Sequence, residues 1–287
     1  MLYLESFFFP SAEQESFAVG GIWETCYTSF YPFGILSRRQ FSRIDFEPVT
    51  ILYGGNGTGK STALHVIAEK AGLEREAPYN RTAFFDDYVR MCRIELARSV
   101  PGGSCIITSD DVFDHMLSVR DLNDGIDRKR DDIFEEYWQN KTSKFQMRSM
   151  DDYEQLRKVV LARKRTKSKY TKQELGMNVR TFSNGENAYR YFTNKIGEDK
   201  LYLLDEPENS LSPERQMELC QFISDSARFF GCQFVISTHS PFLLAMRGAK
   251  IYDLDSDPVD VRRWTELKNV RAYYDFFREH RREFEEE

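Results

Sequence analysis

Short apolar runs alternate with amphipathic segments along most of this chain, and this alternation predicts an α/β fold. Apolar runs predict strands at residues 49–53, 105–108, 201–204, 234–238 and 250–254. Apolar positions at helical spacing predict helices at residues 63–71, 213–230 and 270–277. Because the run at 201–204 is uninterrupted, we expect a strand that is buried on both faces, as in a parallel sheet.

The spacing of apolar residues also predicts which face of each later helix is buried. The expected face of the helix at 213–230 carries Met217, Cys220, Ile223, Ala227 and Phe230. In the helix at 270–277 it carries Val270, Tyr273, Tyr274 and Phe277, and we expect this face to pack on the core.

A glycine-rich loop follows the first of the predicted strands. Residues 54–62 fit the phosphate-binding pattern G-x-x-x-x-G-K-[ST], in which small residues let the backbone wrap an anion. Lys60 is expected to reach the β- and γ-phosphates of a nucleotide, and the Ser61 hydroxyl to hold Mg²⁺. The candidate nucleotide-binding residues of the loop are Gly54, Asn56, Gly57, Gly59, Lys60, Ser61 and Thr62.

A pair of carboxylates stands at the end of the strand predicted at 201–204. The sequence there continues with Asp205 and Glu206, followed by Pro207. Ligands of α/β folds bind at the carboxyl edge of the sheet, which is where this strand would deliver both side chains. We therefore expect Asp205 to hold Mg²⁺ and Glu206 to orient or deprotonate an attacking water.

Two further segments have both a local structural explanation and a functional one. Ser183 and Glu186 have the spacing of a capping box that opens a helix, which is the favoured explanation when the segment is taken alone, but the segment also lies 123 residues after Lys60 and 22 residues before Asp205. His239 follows the strand predicted at 234–238; a histidine at a strand end is usually structural, but this one is placed to contact a γ-phosphate.

These four elements, in this order, resemble the ATP-binding-cassette class of ATPases. Residues 54–62 look like Walker A, 183–186 like a variant of the signature motif (usually L-S-G-G-Q), 201–206 like Walker B, and His239 like the switch histidine. Residues 205–213 and 237–241 are most similar to the small stand-alone AAA/ABC-class ATPases of the SMC and DNA-repair-like branch. The resemblance implies a P-loop α/β domain with a mixed sheet flanked by helices and a helical subdomain that bears the signature.

The resemblance also implies a mechanism and partners. Two subunits would form a homodimer around two ATP–Mg²⁺ complexes, with Ser183 and Gly185 of each capping the nucleotide of the other. Hydrolysis would release the interface, and the switch would gate a nuclease or other effector protein, or a nucleic-acid process such as DNA repair or anti-phage defence. The alternative is the ATPase subunit of a transporter.

The chain departs from the transporter pattern after the strand predicted at 105–108. Transporter-type members carry a Gln there, whereas this sequence continues Ser109-Asp110-Asp111. Asp110 is either a metal-linked acid or the cap of a helix at 112–116, and the cap is favoured. Ser212 stands where the family has an Asp, and it is expected to be the N-cap of the helix that Pro213 begins.

The resemblance and the motifs divide the chain into three segments. Residues 1–111 form the first part of the nucleotide-binding core, 112–180 a helical arm, and 181–287 complete the same ATPase domain. The arm ends in a basic segment from Arg157 to Lys172, with eight basic residues and no acidic one. It is either a solvated linker or a contact for DNA, RNA or a protein partner.

Composition limits the remaining function classes. The net charge of −6 gives no global reason to bind nucleic acid, so such binding would need a local patch. Five scattered cysteines favour a reducing, cytoplasmic setting over a disulfide framework or a zinc site. No apolar stretch approaches the about 20 residues of a membrane span.

Overall fold

The computed structural model describes residues 1–21, 27, 29–145, 149–175 and 184–285. The chain divides into two compact units. Unit 1 comprises Met1–Phe113 and Asn184–Glu287, and unit 2 comprises Asp114–Ser183. None of the described helices is both long enough and apolar enough to cross a membrane.

The described residues form strands and helices in an alternating order. The strands are β1 (Leu4–Phe8), β2 (Arg43–Asp45), β3 (Val49–Tyr53), β4 (Arg93–Leu96), β5 (Cys105–Thr108), β6 (Leu201–Asp205), β7 (Gln233–Ser237), β8 (Lys250–Asp253) and β9 (Asp260–Val261). The helices are α1 (Ala12–Gly20), α2 (Lys60–Ala71), α3 (Phe85–Met91), α4 (Ser109–Thr142), α5 (Tyr153–Lys164), α6 (Lys167–Glu174), α7 (Asn184–Lys195), α8 (Pro213–Phe229), α9 (Pro241–Leu244), α10 (Lys268–Glu279) and α11 (Arg281–Glu285).

The main sheet of unit 1 has the strand order β5-β6-β7-β3-β8-β9. The first five strands in this order run parallel, and β9 pairs antiparallel with β8. Every residue of β3 and β7 is buried, which is why both strands are continuously apolar apart from a few small polar side chains and Gln233. The predicted α/β fold with a mixed sheet flanked by helices is confirmed.

A second, antiparallel sheet of order β2-β1-β4 packs against the main sheet in unit 1. The two sheets are joined by the side chain of Gln233, which is fully buried in β7. Its Oε1 accepts hydrogen bonds from the backbone N–H groups of Tyr3 (2.7 Å) and Leu4 (2.8 Å), and its Nε2 donates to Leu4 O (2.9 Å). One amide side chain thus satisfies three backbone groups at the start of β1.

Unit 2 is helical, and it corrects two expectations about the arm. The helix expected at 112–116 is the start of α4, which is 34 residues long because its sequence contains no proline and no strong stop. The basic segment is not a linker: it lies in α5 and α6, where Val159, Ala162 and Tyr170 are buried. Ala162 and Tyr170 form a small core with Tyr137 of α4.

The buried faces expected for α8 and α10 are partly wrong. In α8 the buried positions are Leu219, Ile223, Ser226 and Ala227, whereas Met217 and Phe230 are about half exposed. In α10 only Val270 is buried, and Tyr273, Tyr274 and Phe277 are each half exposed. Helical spacing identified an apolar face in both cases, but spacing alone cannot say how much of that face a neighbouring element covers.

Replacing Gln233 should separate the two sheets of unit 1. In the Gln233→Leu variant the N–H groups of Tyr3 and Leu4 lose their acceptor while they remain buried, at a cost of about 1–3 kcal/mol for each group. We expect the free energy of unfolding to fall by roughly 2–5 kcal/mol in urea titrations. Gln221→Leu on the exposed side of α8 is the matched control, and an equal loss in both variants would contradict this role of Gln233.

Candidate functional site

The candidate site lies where the carboxyl ends of three neighbouring strands meet in unit 1. In the parallel register Leu52 of β3 pairs with Ser237 of β7, and Ser237 pairs with Asp205 of β6. The glycine-rich loop therefore leaves β3 beside the carboxyl end of β7, one strand away from Asp205 at the end of β6, and His239 lies two residues beyond Ser237. All three sequence signals meet at one edge of the sheet, as ligand sites of α/β folds do.

The glycine-rich loop passes directly into α2, whose first residue is Lys60. Gly59 immediately before it has a φ of 98°, a conformation that favours glycine. A Cβ on Gly59 would lie only 2.7 Å from Ile35 Cγ2, so a larger residue fails on both conformational and steric grounds. The loop thus presents the N-terminus of a twelve-residue helix, with its unpaired N–H groups, at the sheet edge.

Lys60 is buried at the centre of the site. Its Nζ donates hydrogen bonds to Gly54 O (2.7 Å) and Gly55 O (3.2 Å), and it lies 2.8 Å from His239 Nε2. A lysine ammonium can only donate, so this contact requires His239 Nε2 to be the unprotonated ring nitrogen. Burial lowers the pKa of Lys60, and the nearby carboxylate of Glu206 opposes this shift.

Asp205 is the partly buried carboxylate of the site. Its Oδ1 accepts hydrogen bonds from Ser61 Oγ (3.0 Å) and Ser237 Oγ (2.5 Å). Burial raises the pKa of Asp205, and the hydrogen bonds from these two hydroxyls offset part of that increase. A carboxylate oxygen beside a serine hydroxyl suits Mg²⁺, which prefers oxygen ligands and takes few of them from protein. The residues present therefore fit the expected metal.

The described residues contain no group of three or more His, Cys, Asp or Glu side chains that could hold a metal ion. A Mg²⁺ site at Asp205 would thus be completed by substrate phosphates and water, as is usual for this ion.

Glu206 and His239 lie next to each other beside Lys60. Glu206 Oε1 is 3.3 Å from His239 Nε2 and 4.0 Å from Lys60 Nζ. Glu206 has a φ of 48°, which is rare for a residue with a Cβ and costs of the order of 1 kcal/mol or more. This conformation turns the chain sharply after β6, so that Asp205 and Glu206 both face the same edge.

The structure places the remaining candidate residues as follows. Asn56 and Gly57 are exposed at the tip of the loop, and Thr62 is buried in α2 with its Oγ1 accepting from Tyr31 Oη (3.2 Å). Gly185 lies in the first turn of α7, where a Cβ would be 3.1 Å from Ser210 O. Ser183 lies outside the described residues.

Asp110 is not the helix cap that the sequence favoured. The cap of α4 is formed by Thr108, whose Oγ1 accepts from Asp111 N (3.4 Å), while Asp111 Oδ2 accepts from Thr108 N (2.6 Å). Asp110 instead lines a cavity of about 360 Å³ together with Asp205 and His65. A reciprocal pair with the threonine needs an acid three residues later, and that residue is Asp111 rather than Asp110.

Two polar contacts of the site were missed from the sequence. Ser237 reaches Asp205, and Asp255 after β8 accepts from Gly55 N in the loop (2.8 Å). The order of strands in the sheet is needed to bring either pair together. The N-cap expected at Ser212 is confirmed, because its side chain accepts from Arg215 N and Pro213 follows it.

Residues 116–244 match the family model described as an AAA ATPase domain. The matched stretch includes Asp205, Glu206 and His239 of the site described above. This part of the chain is therefore similar to an AAA ATPase domain, in agreement with the ATPase class that the motifs indicated. No curated protein matches the chain.

Two solved structures resemble the chain at low sequence identity. An ABC transporter described as metal-chelate type, in an inward-facing conformation, shares 16% identity over 82% of each chain with a TM-score of 0.39. The Smc head domain of Pyrococcus furiosus, bound to the C-terminal domain of ScpA, shares 14% identity over 82% of this chain and 95% of that chain, with a TM-score of 0.41. At such low scores neither similarity supports a function.

The buried His65 beside the site should make stability depend on pH. Burial, and then the charge of Arg75, lowers the pKa of His65 to about 4. Between this value and the ordinary pKa of about 6.5, the unfolded chain binds a proton that the folded chain does not. The free energy of unfolding should therefore fall as the pH decreases through this window.

We expect wild type to lose more stability than His65→Gln between about pH 7.5 and about pH 5, measured from urea midpoints. Histidine NMR should show His65 neutral at the lower pH. An equal loss of stability in both proteins would contradict the assigned shift.

Proposed function

We propose that the protein is an ATP-hydrolysing switch that forms a dimer around two ATP–Mg²⁺ complexes. One observation carries this proposal: Lys60, Ser61, Asp205, Glu206 and His239 meet at the carboxyl edge of β6, β7 and β3. These side chains provide a cation for phosphate, an oxygen pair for Mg²⁺, and a carboxylate for water. No other edge of the described sheet brings together such a set.

Each side chain has a role in the proposed reaction. Lys60 exchanges its bonds to loop carbonyls for phosphate oxygens of ATP, which frees His239 Nε2 to carry a proton and donate a hydrogen bond to the γ-phosphate. Glu206 accepts the proton of the attacking water. Ser61 and Asp205 would hold Mg²⁺, which would supply positive charge to offset that of the phosphates. The buried setting strengthens each of these electrostatic contacts.

The proposed dimer interface involves the first turn of α7. This helix begins at Asn184, and its positive end with Gly185 suits an anion such as a γ-phosphate. In the proposed sandwich this end, led by Ser183, meets the nucleotide held by the other subunit. ATP then bridges the two copies, and loss of the γ-phosphate releases them.

The partner of the switch is proposed to be a nuclease or other effector protein, or DNA or RNA bound through Arg157–Lys172. Part of this basic segment is engaged within unit 2: Lys158 Nζ lies 2.7 Å from Glu136 Oε1, and Lys167 Nζ lies 3.6 Å from the Phe134 ring centroid. Lys164 and Lys169 are exposed. We place the switch in a process such as DNA repair or anti-phage defence, and we prefer it to a transporter subunit because no Gln follows β5.

The Glu206→Gln variant tests the proposed switch. The amide keeps the shape of the side chain but cannot accept the proton, so turnover should fall by about 10²–10⁴-fold while ATP still binds. Trapped ATP should then hold the dimer together, as measured by light scattering and by the nucleotide that co-elutes.

Lys60→Ala is the matched control for this trap, since without the ammonium we expect neither tight ATP binding nor an ATP-dependent dimer. If Glu206→Gln hydrolyses ATP like the wild type, then Glu206 is not the base. If it binds ATP and stays monomeric, the sandwich is wrong.

Binding of nucleic acid to the basic segment predicts a steep dependence on salt. The logarithm of the affinity for a fluorescent duplex should fall linearly with the logarithm of salt concentration. The double variant Lys164→Ala/Lys169→Ala should reduce that slope by up to about two. Lys129→Ala, which removes an exposed charge outside the segment, should leave the slope unchanged. A flat salt dependence of the wild type would remove nucleic acid from the proposed partners.

A further inference from the structure

Glu208 makes an unusual set of contacts next to the proposed site. Its Oε1 accepts three hydrogen bonds from consecutive residues after β7: from Thr238 Oγ1 (2.7 Å), His239 N (2.7 Å) and Ser240 N (3.2 Å). One carboxylate oxygen thus holds the backbone of the whole turn that carries His239. Glu208 itself belongs to a different loop, the one between β6 and α8.

This arrangement destabilises the folded state. The other oxygen of the same carboxylate, Glu208 Oε2, is buried and has no hydrogen-bond partner among the residues that the structure describes. Burial also raises the pKa of Glu208. A buried carboxylate with one unsatisfied oxygen costs stability, and such groups in a native structure call for an explanation in function.

The carbonyl side of His239 is held from another direction. Asn269 Nδ2 donates to His239 O (3.0 Å), and Asn269 N donates to Tyr53 Oη (3.2 Å). Asn269 lies in the first turn of α10, so the two peptide groups of His239 are fixed by two separate elements. We call Glu208 and Asn269 the His239 clamp.

We propose that the His239 clamp positions the imidazole for ATP hydrolysis, with Glu208 as its main member. The inference rests on the proposed function, because it assigns His239 a part in that reaction. His239 Nε2 lies within 3.3 Å of both Lys60 Nζ and Glu206 Oε1. Contacts this close are lost when the backbone of the turn moves by about 1 Å, a displacement that can cost about 10²-fold in rate.

Kinetics of two Glu208 variants separate positioning from charge. Glu208→Ala removes the acceptor of all three hydrogen bonds, and we expect kcat to fall by about tenfold or more while the affinity for ATP changes little. Glu208→Gln keeps a carbonyl oxygen in the same place and should retain most of the wild-type kcat. Glu198→Ala is the matched control, because Glu198 is an exposed carboxylate three residues before β6, at the opposite end of the strand from Glu208.

A double-mutant cycle distinguishes a positioning residue from a merely structural one. If Glu208 acts through the imidazole, Glu208→Ala should have little further effect on kcat in a His239→Ala background. The two losses would add if Glu208 acted by another route, and additivity would overturn the proposal. A parallel loss of kcat and of ATP affinity in Glu208→Ala alone would also overturn it.

Histidine NMR tests the His239 clamp without any turnover. The chain has four histidines, so the His239 ring signal can be assigned by comparison with His239→Ala. In nucleotide-free protein this signal should shift or broaden in Glu208→Ala and in Asn269→Ala, and should match the wild type in Glu208→Gln and Glu198→Ala. An unchanged signal in both alanine variants would refute the His239 clamp.

The NMR and kinetic measurements test the His239 clamp and the proposed function separately. If the wild type does not hydrolyse ATP but the His239 signal moves as expected, the proposed function fails and the His239 clamp stands as a structural device only. If hydrolysis is confirmed and the signal does not move, the proposed function stands and the His239 clamp is wrong. Asn269→Ala removes the hydrogen bond to His239 O, so it can still test the His239 clamp if Glu208→Ala does not fold.

Discussion

The parallel register of β6, β7 and β3 is the constraint on which the candidate site depends. Asp205 is level with Ser237, and Ser237 is level with Leu52, so three strands end at nearly the same height. A slip of one residue in β6 would turn the Asp205 carboxylate to the other face of the sheet. It would also move every side chain of the buried strand to the opposite face. The packing of the core and the chemistry of the edge are therefore specified by the same pairing.

The site concentrates buried charge in a way that stability alone would disfavour. Lys60 and Asp205 are both largely removed from water, and burial disfavours the charged form of each, lowering one pKa and raising the other. Loop carbonyls, two serine hydroxyls and the neighbouring carboxylate of Glu206 offset part of this cost. All of these contacts are exchangeable for the oxygens of a polyanion and its cation. A site that is costly when it holds only protein groups is one that gains from binding such a substrate.

Most of the fold was predictable because it rests on local pattern. The strands expected at 49–53 and 105–108 have these bounds in the structure, and those expected at 201–204, 234–238 and 250–254 differ by one residue. The predicted helix at 63–71 in fact begins at Lys60, since the glycine conformation at 59 allows the helix to start at once. Continuous apolar runs and glycine stops carry this information within a few residues of the chain.

What could not be predicted depends on contacts between distant segments. Asp110 was wrongly expected to cap α4, because the cap is Thr108 in a reciprocal pair with Asp111, and Asp111 Oδ1 also accepts from Ala77 N, 34 residues earlier in the chain. The sequence showed Glu208 only as part of the segment 205–213. Its contacts could not be predicted, because its partners Thr238, His239 and Ser240 follow a different strand, β7. The exposed aromatic side chains of α10 have helical spacing like those of a buried helix. Pattern tells which residues are apolar, and only the assembled fold tells which of them are covered.

The loop between β6 and α8 joins two parts of the proposed switch that are far apart in sequence. On one side Gly185 of α7 approaches Ser210 O so closely that a Cβ would lie 3.1 Å away. On the other side Glu208 of the same loop holds the turn that carries His239. Leu211 N donates to Glu208 O (3.0 Å), so the loop is a compact turn rather than a slack connection. The first turn of α7 thus packs closely on this loop, and a displacement of that turn towards Ser210 would press on the loop. In a protein whose α7 meets the nucleotide of a second copy, the loop is therefore the short physical route between that contact and the histidine of its own site.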